Sequence, residues 1–144
     1  MPFAVKFVED GTGIIFEGSG LLTEEELIEV RQLLQATPAA MGRLSFGIVD
    51  LESVVELRLD HSGVRRLAGM DEILAGLAAN MAVVVVAPSD HMFGIARMWE
   101  AHADGTGWPI MVVRSRSEAH VWLAETLASR RESSTPSQSA DRSV

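Results

Sequence analysis

The sequence predicts an α/β fold: one five-stranded mixed sheet with about four helices, in the order β-β-α-β-α-β-α-β-α. Three observations predict it. The unbroken run Val83-Val84-Val85-Val86 needs both faces of its strand covered, as inside a parallel sheet. Runs of β-formers alternate with stretches whose apolar residues recur at helical spacing. Helix-capping residues stand between the two kinds of run.

In order, Phe3–Val8 and Ile14–Gly18 flank Glu9-Asp10-Gly11-Thr12-Gly13 and read as a hairpin. Thr23-Glu24-Glu25-Glu26 has capping-box spacing, and its charges suit a helix start. Leu27, Val30, Leu33 and Leu34 mark the inward face of that helix, which runs to about Ala36 before Thr37-Pro38 stops it. Leu44–Asp50 is a third strand, while Leu51–Leu59 fits extended chain without deciding it. A helix follows from about Ser62, with Val64, Leu67, Met70, Leu74 and Leu77 inward. Gly69 and Gly76 weaken it and leave a split open.

Met81–Ala87 is the fourth strand. Pro88-Ser89-Asp90 ends it and caps a helix with Met92, Ile95, Ala96, Trp99 and Ala103 on one stripe. Gly105–Trp108 turns into a fifth strand, Ile110–Val113. Ser115-Arg116-Ser117-Glu118 is a second capping box and opens a last helix with Ala119, Trp122, Leu123 and Leu127 inward. Right-handed crossovers make the later strands parallel and leave the hairpin as an antiparallel edge. The domain is expected over residues 1–128, and the Ser-rich stretch 129–144 is expected to be a disordered tail.

A chain of 144 residues, 47% hydrophobic, suits one domain with a proper core. The absence of cysteine removes disulfide and thiolate chemistry. The first residues carry no secretory pattern. The longest apolar run, Met81–Pro88, is far short of the ~20 residues of a membrane helix. A cytoplasmic protein without membrane insertion is expected. The net charge of −8 and the lack of a basic, aromatic-interleaved patch argue against nucleic acid. Arg65-Arg66 and Arg130-Arg131 read as solvated helix residues.

No metal site or cofactor is expected. His91 and His102 share a helix side but lie about 16 Å apart at 1.5 Å per residue, and His61 and His120 are isolated in sequence. No Gly-x-Ser-x-Gly elbow is present. Gly11-Thr12-Gly13 leads into a strand and lacks the third glycine of a dinucleotide fingerprint. The expectation is a protein that is not an enzyme. An unrecognised enzyme using Asp50, His61 or Asp90 ranks last.

The chain also resembles a known fold family. Ile48-Val49-Asp50-Leu51, the stretch Val86-Ala87-Pro88-Ser89-Asp90-His91-Met92-Phe93-Gly94-Ile95-Ala96-Arg97-Met98-Trp99-Glu100, and Val113–Ala119 with Trp122-Leu123 carry the likeness. With the element order, they resemble the STAS domains of bacterial anti-sigma-factor antagonists. They resemble more closely the bacterial SpoIIAA-like, or STAS/SEC14-domain, proteins, most of which have no assigned role. The likeness covers about residues 3–127. It implies a regulatory interaction domain, and the SEC14 part of the label implies lipid. Anti-sigma-factor antagonists are phosphorylated on a serine within Asp-Ser-Ser-Gly. Here the similar stretch is Asp60-His61-Ser62-Gly63. His61 stands in the place of that serine, and Asp60 or Ser62 also serves as an N-cap.

Two surfaces follow as candidates. In an open α/β sheet, ligands bind beyond the carboxyl ends of the strands. Asp50, Ser89, Asp90, Arg114 and Ser115, with His61 and Ser62 nearby, should gather there as a rim. Free N–H groups at the helix starts make that rim an anion-site candidate, although capping alone accounts for Ser89 and Ser115. Winding the helix at ~100° per residue puts Asp90, Gly94, Arg97, Met98 and Ala101 opposite its core stripe, with Phe93 on the flank. That face is bare enough for another surface to approach closely. The expected function is a non-catalytic module that binds a protein partner or itself, as a homodimer, through helix 90–103 and the rim. The alternative is a carrier or sensor of a small apolar or anionic molecule, or of lipid, at the same rim.

Overall fold

The computed structural model describes residues 3–143, with side chains described through Arg131. Five strands lie in the order β1-β2-β3-β4-β5: β1 (Phe3–Val8), β2 (Gly13–Thr23), β3 (Phe46–Arg58), β4 (Ala82–Val86) and β5 (Ile110–Val113). β1 pairs antiparallel with β2, and every later pair is parallel. The hairpin turn places Glu9, Asp10 and Gly11 at positive φ, the backbone that Asp and Gly accept most readily.

The helices are α1 (Glu24–Gln35), α2 (Pro38–Met41), α3 (His61–Ala75), α4 (Asp90–His102) and α5 (Arg116–Ser143). The capping box of α1 forms, with the Thr23 hydroxyl accepting from the Glu26 N–H and Glu26 accepting from the Thr23 N–H. Pro38 stops α1 as expected and then opens the short α2, which the sequence reading did not include. The expected tail begins inside the α5 bounds, but its side chains from residue 132 lie outside those described.

The valine run alternates between two cores. Val83 and Val85 face a large core with α1, α3 and α4. Ala82, Val84 and Val86 face a smaller one with Ala119 and Leu123 of α5. Every residue of β4 is buried, which is why the run shows no polar alternation.

Four expectations change. β2 and β3 run on past Gly18 and Asp50 as a two-stranded extension, with Leu22 paired to Leu57 and Thr23 to Arg58. The ambiguous stretch after Leu51 therefore belongs to β3. Register shifts at Glu17/Ser19 and Gly20/Leu21 break its alternation, so Leu51, Val54 and Leu57 are buried while Val55 is 87% exposed. Gly20 supplies a φ of +61° at the second shift, where a side chain would be strained. Leu33, expected inward, is 55% exposed. α3 is continuous through Gly69, and Gly76 serves as its C-cap.

The largest surprise is Asp71, only 3% exposed on α3. Its carboxylate accepts from Arg31 Nε at 2.8 Å and Arg31 Nη2 at 3.1 Å. It also accepts from Trp99 Nε1 at 2.8 Å. One buried carboxylate thus ties α1, α3 and α4 together, and three donors replace the water it has lost.

Candidate interaction surface

α4 starts where β4 ends. The Ser89 side chain accepts from the Met92 N–H at 3.1 Å, so Ser89 is the N-cap. Met92, Ala96 and Trp99 are buried. Opposite them, Asp90, Gly94, Arg97 and Ala101 are exposed. A Cβ built on Gly94 would meet nothing within 4 Å, so this face is open. Met98 departs from the expectation: it is half-buried and packs against the large core. The patch is therefore narrower than the sequence implies.

Phe93 is also half-buried against that core, and Arg114 fixes it. The guanidinium carbon of Arg114 lies 4.1 Å from the centre of the Phe93 ring, an attraction of about 0.5–1 kcal/mol at an exposed site. Arg114 Nη1 also donates to Asp90 Oδ1 at 2.8 Å and to the Pro88 carbonyl at 3.2 Å. Arg114 thereby joins the end of β5 to the first turn of α4. The Asp90 side chain is 97% exposed, so the ion pair itself adds little. Its effect is to hold Phe93 and Arg114 in one geometry beside Gly94. Arg97 pairs with Glu100 at 3.1 Å along the same helix.

Ser115 caps α5, accepting from the Glu118 N–H at 3.2 Å and donating to Glu118 Oε1 at 3.1 Å. Ser89, Asp90, Arg114 and Ser115 thus form one continuous group. Asp50 belongs to a different one. Its Oδ1 accepts from the Glu52 N–H at 2.9 Å and its Oδ2 from Arg116 Nη1 at 2.7 Å. Arg116 also lies 3.6 Å from Glu17, which Lys6 meets at 2.9 Å. The Lys6 hydrogen bond, aided by the charges of Lys6 and Arg116 and opposed by burial, holds the Glu17 carboxyl below its ordinary value. Both rim arginines therefore already face carboxylates.

His61 and Ser62 lie apart from these groups. Both are exposed in the first turn of α3, where Asp60 is the N-cap, its carboxylate accepting from the Gly63 N–H at 2.8 Å. Among the described residues no hydrogen bond or ion pair joins His61 or Ser62 to Asp50, Asp90 or Arg114. The structure instead places the His61 ring 5.4 Å from that of His102. Sequence reasoning treated the two as unrelated because no local period connects them. Among the described residues no group of three or more metal-ligating side chains occurs, and no helix is long and apolar enough to cross a membrane.

This architecture defines an α/β domain with one mixed sheet between unequal helical layers. Solved structures with the same architecture give the fold its name. The chain is similar to the anti-sigma factor antagonist SpoIIAA in its unphosphorylated form, with TM-score 0.56 and 18% identity over 85% of this chain and 97% of that one. It is similar to the phosphorylated form of the Bacillus cell fate determinant SpoIIAA, with TM-score 0.54 and 19% identity over 84% and 98%. It is also similar to an uncharacterised Shewanella loihica protein with a SpoIIAA-like fold, at TM-score 0.50 and 17% identity over 84% and 91%. No family model and no curated protein matches. The chain has the SpoIIAA-like fold, as the sequence resemblance implied.

Proposed function

We propose that this protein is a non-catalytic regulatory module of the cytoplasm, binding a protein partner or a second copy of itself through the outer face of α4 and the adjoining rim. The observation that carries the reading is the open space over Gly94 beside a Phe93 ring held in place by Arg114. Glycine inside an exposed helix costs about 1 kcal/mol against alanine, and a closely approaching surface gives that position a use. The solved SpoIIAA structures are of an anti-sigma factor antagonist, which supports a regulatory role. The rim carboxylates support a non-catalytic one, since Asp50 and Asp90 are each engaged by an arginine.

The carrier alternative at the rim has less support, because Arg114 and Arg116 would have to release Asp90 and Asp50 to receive an anion. In this chain His61 precedes Ser62, and Asp60 fulfils the capping role.

The test is substitution on the open face. Gly94→Lys with Ala101→Lys leaves the core untouched and should abolish self-association seen by light scattering, or capture of a partner from the native host. A complex that survives both lysines removes α4 from the contact surface.

A further inference from the structure

We propose that His61 and His102 form a binding site for one borderline divalent transition cation of the Zn²⁺ or Cu²⁺ kind, which clasps the first turn of α3 to the last turn of α4. The two ring centres lie 5.4 Å apart, with the planes tilted by 50°. A cation about 2.0–2.1 Å from one nitrogen of each imidazole sits roughly 3.2 Å from each ring centre, and at a tetrahedral angle two such rings lie roughly 5 Å apart. The observed separation matches that of two ligands to one ion. His61 opens α3 and His102 closes α4. Both are exposed, so an ion reaches them from solvent without displacing any of the core. Among the described residues neither imidazole holds a hydrogen bond or ion pair that metal binding would have to break.

The ligand atoms decide the class of ion. Imidazole nitrogen suits Zn²⁺, Cu²⁺ and Ni²⁺, whereas Mg²⁺ and Ca²⁺ take oxygen. Among the described residues no third metal-ligating side chain joins the pair, so water completes the coordination and the site is open, unlike a four-ligand structural zinc site. Most of the surrounding charge favours a cation. The chain carries a net charge of −8, and His102 stands at the negative end of the α4 dipole. Asp60 precedes His61 and spends only Oδ1 on its cap, and Asp104 follows His102 by two residues. Arg65, one turn along α3, and the positive start of α3 oppose it. The unfolded chain does not hold the two rings together, so binding stabilises the fold. Spacing along α4 sets His102 only against His91, too far for one ion, and the fold gives it a partner from α3 instead. The clasp is independent of the contact surface proposed for the outer face of α4.

The full untagged chain would be titrated with zinc chloride at about pH 7.5, where an ordinary imidazole is neutral and free to ligate. One Zn²⁺ per chain should bind and raise the unfolding temperature, and Mg²⁺ at the same concentration should do neither. His61→Ala and His102→Ala should each weaken Zn²⁺ binding on the order of tenfold or more. The double variant should bind no more weakly than either single one, because one imidazole alone is no longer the site. His91→Ala and His120→Ala should bind as the parent does. Both members of the pair are exposed, so the variants keep the fold, which circular dichroism checks. His61→Gln and His102→Gln repeat the test with a side chain of similar reach. Four results would overturn the proposal: no saturable binding up to about 1 mM Zn²⁺, an equal response to Mg²⁺, unchanged binding in either single variant, which means an adventitious ion only, or losses that add in the double variant, which means two separate imidazoles.

Discussion

Each face of the sheet carries an Arg–Asp pair with a mostly buried carboxylate, and the two pairs are built differently. On the three-helix face, Arg31 forks onto Asp71 and Trp99 adds a third donor, with the two charged side chains only 14% and 5% exposed. On the α5 face, Arg116 makes a single short bond to Asp50 and is 30% exposed. There the buried Arg116 Nε has no partner among the described residues. Where water is excluded, a charge pair is tolerable only with full satisfaction of both partners. Where water reaches one partner, looser geometry suffices. The first pair holds three helices together, and the second ties one helix to the strand ends.

Breaking the first pair should have the largest effect. Asp71→Ala strands Arg31 in the interior and removes the acceptor of Trp99, at a cost of about 3–5 kcal/mol. Arg116→Met should cost less, about 1–3 kcal/mol, since Arg116 is 30% exposed but its loss leaves the mostly buried Asp50 carboxylate with only the Glu52 N–H. Urea unfolding of both variants measures the contrast. Equal losses would show that the two pairs do the same structural job.

Packing separates the faces in a second way. A cavity of about 110 Å³ lies on the three-helix face, lined by Val30 and Leu74, so that side has room for an added methylene. On the α5 face Ala82, Val84, Val86 and Ala119 are fully covered. Ala119→Leu should therefore destabilise by about 1–3 kcal/mol through overpacking. Val30→Leu, adding one methylene at the cavity, should be neutral within about 0.5 kcal/mol or stabilising. Thermal unfolding distinguishes them, and a comparable loss in both would mean that the cavity closes readily.

What the sequence revealed follows the same division. The α5 face and the β4 valines were legible because small and branched apolar residues at short period report burial directly. Helix starts at Thr23, Ser89 and Ser115 were legible because capping is a local event. Asp71 was not, because a carboxylate within Gly69-Met70-Asp71-Glu72 looks like any exposed helix residue. Its burial depends on Arg31 and Trp99, which lie 40 and 28 residues away. The long extension of β2 and β3 was hidden by the register shifts, which erase the two-residue period. The open patch on α4 was legible except at Met98, because a flexible side chain at the edge of the stripe can fold back onto the core.

Two exposed glycines sharpen the contrast between helices. A Cβ on Gly69 of α3 or on Gly94 of α4 would meet nothing within 4 Å. Gly→Ala at either should raise stability by up to about 1 kcal/mol. If only α4 is a contact surface, Gly94→Ala should weaken partner binding while Gly69→Ala leaves it unchanged. Weakening by both would extend the surface to α3.

The smallest expected effect lies at the open end of the α5 face. Lys6, by hydrogen bond and charge, and Arg116, by charge, keep the Glu17 carboxyl below its ordinary value of 4.5. A depressed folded value means that the unfolded state takes up the proton first. The stabilisation from this group is complete above pH 4.5 and fades as the pH falls through the folded value. Lys6→Met removes the leading cause, so its stability should fall less than the parent's between about pH 7 and pH 3.5. Urea midpoints at the two pH values give the comparison, and parallel losses would assign the acid sensitivity to carboxylates elsewhere. Because Glu17 is more than a third exposed, added salt should shrink the difference between variant and parent. The Arg31–Asp71 pair, shut away from solvent, should respond to salt far less.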